Sequence, residues 1–233
     1  MNSFTRIASV VLLLSTANNL CGEDAAGPHA PAALPAKWKM PASSLLIADG
    51  STSPDGRFAI AYPKASEDDP ALRRNLLVAL NPFRVLALLD GDGLGAGSTR
   101  LSLSVDWTDD SSGVIATTIH DKWGMIVSSS LVVLSGGQVV KLVDLLDAIN
   151  REMLPDFRKT KAEVYNDLLP FILTESKLGF EAGGKLIRAK TSACNDPNEA
   201  RAISWTANFS GVWNVDEGRW QSRKFTSKTK KNI

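Results

Sequence analysis

The sequence predicts an α+β fold, mainly antiparallel β, in one globular domain over residues 44–226. Three observations carry this. Short apolar runs recur between turns made of Gly, Pro, Asn and Asp. The stretch from Trp107 to Asp144 reads as a meander, with an apolar run from Val114 to Thr118, a turn at Asp121-Lys122-Trp123-Gly124, a second run from Met125 to Leu134, a turn at Ser135-Gly136-Gly137, and a third run from Gln138 to Val143. The segment at about 141–169 changes period. Leu142, Leu145, Leu146, Ile149 and Met153 fall at helical spacing, and Pro155 is expected to end that helix. Asp156 then serves as N-cap of a second helix that places Phe157, Val164, Leu168 and Leu169 on one face. Two such helices packed on the sheet would give a two-layer domain.

Taken in order, the chain starts with a targeting pattern. Arg6 precedes an apolar run, Ile7 to Leu14, of signal-peptide length and too short to span a bilayer. Small residues at Ser15-Thr16-Ala17 offer one cleavage site and Cys21-Gly22 a second, so residues 1–22 are assigned to a signal peptide. The expected location is periplasmic or secreted, without a transmembrane helix in the mature chain; Cys21 as a lipoprotein cysteine is the minority reading. Residues 23–43 are an Ala/Pro-rich linker containing His29. Strands follow at Leu45–Ala48, Arg57–Tyr62, Asn75–Leu80 and Phe83–Leu89, and later at Leu186–Thr191, Ala202–Phe209, Gly211–Val215 and Trp220–Phe225. Residues 227–233 read as a basic, frayed tail.

Two boxes repeat at one offset. Ser53-Pro54-Asp55-Gly56-Arg57-Phe58-Ala59-Ile60 aligns with Thr108 to Ile115, and the segment Leu76 to Val85 aligns with Leu131 to Val140. Ile203 to Trp213 offers a weak third start. Over about residues 51–144 the copies resemble the blade repeats of TolB-like and WD-type β-propellers, which carry a Trp-Ser-Pro-Asp-Gly-like turn, a strand, and a strand–Gly turn–strand pair. Trp107 with Asp109-Asp110-Ser111 matches that turn loosely; Ser53-Pro54-Asp55-Gly56 matches it without the Trp. The resemblance implies blade-like hairpins. A propeller closes with roughly four to eight blades, so two or three copies do not make a closed one.

Composition excludes some partners. Lys and Arg number 26 against 25 Asp and Glu, a net charge of +1 that gives no reason to expect nucleic acid. The candidate chemistry is sparse. Asp90 and Asp92 suggest a calcium loop, but Leu94 and Leu101 occupy positions that must supply oxygen, which favours a flexible Gly-rich connection. His120-Asp121 is a His–acid pair that, with a serine, would make an unrecognised hydrolase site; no nucleophile elbow accompanies it, and Ser128, Ser129 and Ser130 read as an alternating strand run. Six tryptophans are many for this length, and Trp123 at a turn is the one expected to stand exposed as a binding residue, for a sugar ring or a protein. Cys21 and Cys194 would pair if both persist in an oxidising compartment. No cofactor is expected. These readings lead to an exported, non-catalytic binding or protein-interaction module of the cell envelope, with another envelope protein or a glycan as partner. The alternatives are an exported hydrolase or a carbohydrate-binding module.

Overall fold

The computed structural model describes residues 42–64, 73–89, 91, 93–94, 100–166, 169–198 and 200–232, with Trp123 described by its backbone alone. Among the described residues, twelve strands form three four-stranded antiparallel sheets, each a meander of strands in chain order. Sheet 1 is β1 (Leu45–Ile47), β2 (Phe58–Pro63), β3 (Leu76–Leu80) and β4 (Phe83–Leu88). Sheet 2 is β5 (Leu101–Trp107), β6 (Gly113–His120), β7 (Met125–Ser135) and β8 (Gln138–Asp144). Sheet 3 is β9 (Ile172–Phe180), β10 (Leu186–Cys194), β11 (Ile203–Asn214) and β12 (Arg219–Lys231).

The repeat read from the sequence is the repeat of the structure. In sheet 1 the Ser53 hydroxyl accepts the Phe58 N–H at 3.0 Å and Gly56 N donates to Ser53 O at 2.9 Å. In sheet 2 the Thr108 hydroxyl accepts the Gly113 N–H at 2.8 Å and Ser111 N donates to Thr108 O at 2.9 Å. Gly56 and Ser111 both adopt positive φ, 72° and 60°. A third copy exists, and it is not where the sequence placed it. Glu181 N donates to Leu186 O, Gly184 N donates to Glu181 O, and Gly184 has φ 67°. The third turn is therefore Glu181–Lys185 between β9 and β10. Ile203 to Trp213 lies within β11, the third strand of its sheet.

The sheets stack face to face in the order 1, 2, 3. Phe58, Ile60 and Leu77 of sheet 1 bury against Val114, Ala116, Val132 and Leu134 of sheet 2. Ile115, Leu131 and Val143 on the other side of sheet 2 meet Ile187, Trp213 and Val215 of sheet 3. Sheet 2 is covered on both faces, which is why β6 and β7 do not alternate and even Thr117, Thr118, Ser128, Ser129 and Ser130 are buried. β10 alternates, with Ile187 and Ala189 inward and Arg188 and Lys190 outward. The first turns of the three meanders lie at one end of the stack, called here the turn end. There the Asp55 N–H donates to Ser111 Oγ at 3.2 Å, Trp107 Nε1 donates to Ser51 O at 3.0 Å, and the Phe180 N–H donates to Asp106 Oδ2 at 2.7 Å. The stack is open. It agrees with the expectation that no closed propeller forms.

The expectation of an α+β fold with two helices and two layers is corrected: the described residues are mostly antiparallel β. Among the described residues there is one α-helix, α1 (Leu145–Phe157), and three sheet layers. Residues 141–144 belong to β8, and the Asp144 carboxylate caps α1 by accepting the Asp147 N–H at 2.9 Å. Pro155 lies inside α1 and Asp156 is a residue of the same helix, not the cap of another. Proline at this point removes one backbone bond near the end, where the helix has little left to lose. After Phe157 the Thr160 hydroxyl donates to Phe157 O and accepts the Ala162 N–H, which diverts the backbone from further helix. Val164, expected on the apolar face of a second helix, is 48% exposed. Leu168 lies outside the described residues.

Other differences are smaller. β5 and β9, each the first strand of its meander, were not anticipated. The expected strands Ala202–Phe209 and Gly211–Val215 are one strand, because Gly211 is not a break: a Cβ there would stand 2.8 Å from the Trp220 ring, so Gly211 is the seat for that indole. The segment assigned to a tail from residue 227 continues β12 as far as Lys231, paired with Ile203. Residues 1–41, and with them the signal-peptide and Cys21 assignments and all of the linker but its last two residues, lie outside the described residues; Ala42–Ser44 is a 3-10 turn. No helix among the described residues is long and apolar enough to cross a membrane.

Candidate functional site

The end of the stack opposite the turns holds α1 and the main cavity. Its volume is about 660 Å³, and its wall is formed by Met125, Ile126 and Val127 at the start of β7, Leu146 and Asn150 on α1, and Phe171, Ile172 and Leu173 at the start of β9. Arg74, Gly91, Asn166 and Leu169 complete it. The cavity exists because α1 stands between sheets 2 and 3 at this end. Ile149, Met153 and Phe157 pack on Ile126, Leu173, Trp205 and Phe209 in one cluster. Within it Phe157, Phe171 and Trp205 form a ring triad with centroids 4.9–5.5 Å apart. Such pairs contribute roughly 0.5–1.5 kcal/mol each beyond their burial. Trp205 Nε1 donates to Asp156 Oδ2 at 3.2 Å and ties the helix to sheet 3.

One polar atom on this wall is left over. Asn150 Oδ1 is buried and has no hydrogen-bond partner. A buried unsatisfied amide oxygen costs about 1–3 kcal/mol. Asparagine is also a weak helix former in the middle of a helix. Arg74 is placed at the rim by its Nε, which donates to Leu89 O at 2.7 Å. The Asn166 carboxamide accepts the Leu169 N–H at 2.7 Å and shapes the far side. The chemistry on offer is an apolar chamber with the Asn150 carboxamide set in its wall and Arg74 among the residues around it. That combination suits binding of a mostly apolar small molecule.

The sequence pattern held a signal for this site. Leu146, Asn150 and Met153 share a helical stripe, and the asparagine interrupts it.

The residues singled out from sequence lie elsewhere. His120 ends β6, and its Nδ1 accepts the Lys122 N–H at 3.1 Å. Asp121 precedes the 3-10 turn Lys122–Gly124 without capping it through its side chain. The serines sit farther along β7. Ser129 shares a hydrogen bond of 2.9 Å with Thr117, and Ser128 stands opposite Thr118. Neither His120 nor Asp121 is joined to any of them among the described residues. The Trp123 side chain, Asp90 and Asp92 lie outside the described residues. Gly91 and Gly93 beside those aspartates form a fitted connection: a Cβ on Gly91 would stand 2.6 Å from Ser128 Cβ, and one on Gly93 2.4 Å from Asn75 N. Cys194 ends β10, where burial pushes its thiol above the usual range.

Trp205 and Trp213 are core residues, and Trp107 and Trp220 are partly buried with their indole N–H groups bonded to Ser51 O and Ala148 O. A smaller hollow of about 350 Å³ at the turn end is lined by Asp106, Asp109, Asp110 and Glu181. Two of these carboxylates are committed. Asp106 accepts the Phe180 N–H, and Asp110 accepts both the hydroxyl (2.6 Å) and N–H (3.0 Å) of Ser112, which hold its pKa below the ordinary value. Among the described residues no group of three or more His, Cys, Asp or Glu is arranged to hold a metal ion.

No protein-family model matches the chain, and no curated protein matches it. Among solved structures, one titled "Structure of U3-55K" is similar at 11% identity with a TM-score of 0.28, over 79% of this chain and 55% of that one. The chain therefore spans about half the length of that protein, and at this level of similarity neither family nor function passes from one to the other.

Proposed function

We propose that the chain is a non-catalytic binding module whose ligand occupies the cavity between α1, β7 and β9. The observation that carries this reading is the chamber itself, about 660 Å³ and walled by Met125, Ile126, Leu146, Phe171 and Leu173, with the Asn150 carboxamide set among them. The ligand is a compact, largely apolar molecule with one polar group for the Asn150 carboxamide. An exported setting, in the periplasm or outside the cell, rests on the N-terminal sequence pattern and is part of the same reading.

The test is ligand-observed NMR on the full chain with a panel of indole, p-cresol, benzamide and phenylacetate. The expected result is binding of one or more donors from the panel that is lost in Asn150→Leu, with that variant at least as stable as the parent. Equal binding by parent and variant, or no binding by any panel member at millimolar concentration, would overturn the assignment.

A further inference from the structure

A balanced net charge conceals a predominantly basic surface, on which Glu175 accepts from Ser192 Oγ at 3.5 Å and Glu181 pairs with Arg188. The antiparallel register of sheet 3 sets residues from all four strands directly opposite one another. Lys177 pairs with Lys190, Lys190 with Ser210, and Ser210 with Lys224, so one row across the sheet carries three lysines and a serine. All four side chains are exposed. The row on one side holds Thr174, Ser192, Asn208 and Thr226, and beyond it Thr206 stands opposite Lys228. Arg188 lies on the other side, in an ion pair with Glu181 at 2.5 Å.

Like charges directly opposite on a sheet are destabilising. A face that only needed to stay solvated would be served as well by mixed signs. The β-strand spacing of about 4.8 Å sets these ammonium groups in a flat lattice with hydroxyls and an amide between them. None of the residues in these rows is aromatic, so nothing here stacks on a nucleobase or on the face of a sugar ring.

We propose that the outer face of sheet 3 binds an acidic polysaccharide, a glycan chain bearing carboxylate or sulfate groups. The ammonium groups of Lys177, Lys190, Lys224 and Lys228 meet its charges, and Ser192, Asn208, Ser210 and Thr226 meet its hydroxyls. This surface is separate from the cavity and stands or falls independently of it.

The experiment measures binding of the full chain to polygalacturonate and heparin. Dextran is the uncharged control and single-stranded oligo-dT the nucleic-acid control. Two triple variants are compared, Lys177→Gln/Lys190→Gln/Lys224→Gln on the face and Lys159→Gln/Lys161→Gln/Lys185→Gln off it. Expected are binding to at least one acidic glycan that weakens as salt rises, no binding to dextran, and a loss of about tenfold or more in the first triple only. Absence of glycan binding, equal loss in both triples, or oligo-dT bound as tightly as the glycans would overturn the proposal.

Discussion

The gap between sheets 1 and 2 and the gap between sheets 2 and 3 are built from equivalent meanders and differ in one respect. The first is fastened at both ends. Asp55 N to Ser111 Oγ and Trp107 Nε1 to Ser51 O hold the turn end, and Asn75 Nδ2 to Thr118 Oγ1 at 2.9 Å holds the other. Between them the apolar side chains close on one another. The second gap is fastened at the turn end by Asp106 to Phe180 N and by Lys141 Nζ to the carbonyls of Val215 and Asp216. At its other end α1 packs against β7 and β11 beside the meeting starts of β7 and β9, and there the cavity and the unpartnered oxygen of Asn150 are found. The repeat makes the frame, and the departure from the repeat makes the candidate site.

The comparison breaks first on packing. Leu77 is fully buried in the closed gap, and Leu77→Ala is expected to cost about 2–5 kcal/mol by urea denaturation. Leu146 faces a space that is already empty, so Leu146→Ala is expected to cost about 1 kcal/mol. Equal costs would mean that the two gaps are packed alike.

The turns give the next contrast. A Cβ on Gly184 would stand 2.6 Å from Thr108 Cγ2, whereas one on Gly56 meets nothing within 4 Å. Both sites have positive φ, so Gly56→Ala should cost about 1 kcal/mol and Gly184→Ala about 2–3 kcal/mol. Adding Thr108→Ser to Gly184→Ala should recover part of the difference in thermal unfolding. A double variant no better than the single would show that Thr108 is not the obstacle.

Asn150→Leu is expected to raise stability by about 1 kcal/mol, because it removes an unsatisfied buried oxygen. Destabilisation by that variant would show that the oxygen has a partner in solution.

The smallest effect concerns acid. Asp55 is held at a pKa of about 2: partial burial works to raise it, and the Arg57 N–H, the Ser53 hydroxyl and the Arg57 guanidinium outweigh that burial. A carboxyl depressed in the folded state contributes stability above its unfolded pKa, and that contribution is lost as pH falls from about 4 to about 2. Asp55→Asn should flatten the pH dependence in that window and leave it unchanged at neutral pH. A wild-type slope retained in the variant would assign the effect to other carboxylates.

What was legible in the sequence was the frame. The first two turns were visible because each closes with a hydroxyl residue, Ser53 or Thr108, and carries an Asp two positions on. The third was hidden because Glu181–Lys185 keeps only the glycine at the positive-φ position and closes through backbone bonds. The Trp-rich run from Trp205 to Trp213 drew attention away from it, although those indoles pack inward on Phe157 and Trp220. Pro155 was read as a stop because a local rule was applied to a helix that tertiary packing holds together. The basic face was invisible to net charge, since it arises only when register brings Lys177, Lys190 and Lys224 into one row. The cavity depends on how α1 and the starts of β7 and β9 come together, which no local pattern encodes; Asn150 alone marked it.

Lys141 and Asp106 fasten sheets 2 and 3 at the turn end, far along the strands from Asn150. The contact of Gly184 with Thr108, where a Cβ would stand 2.6 Å from Cγ2, belongs to that same fastened edge. A substitution there acts on how sheets 2 and 3 meet and leaves every side chain of the chamber wall in place.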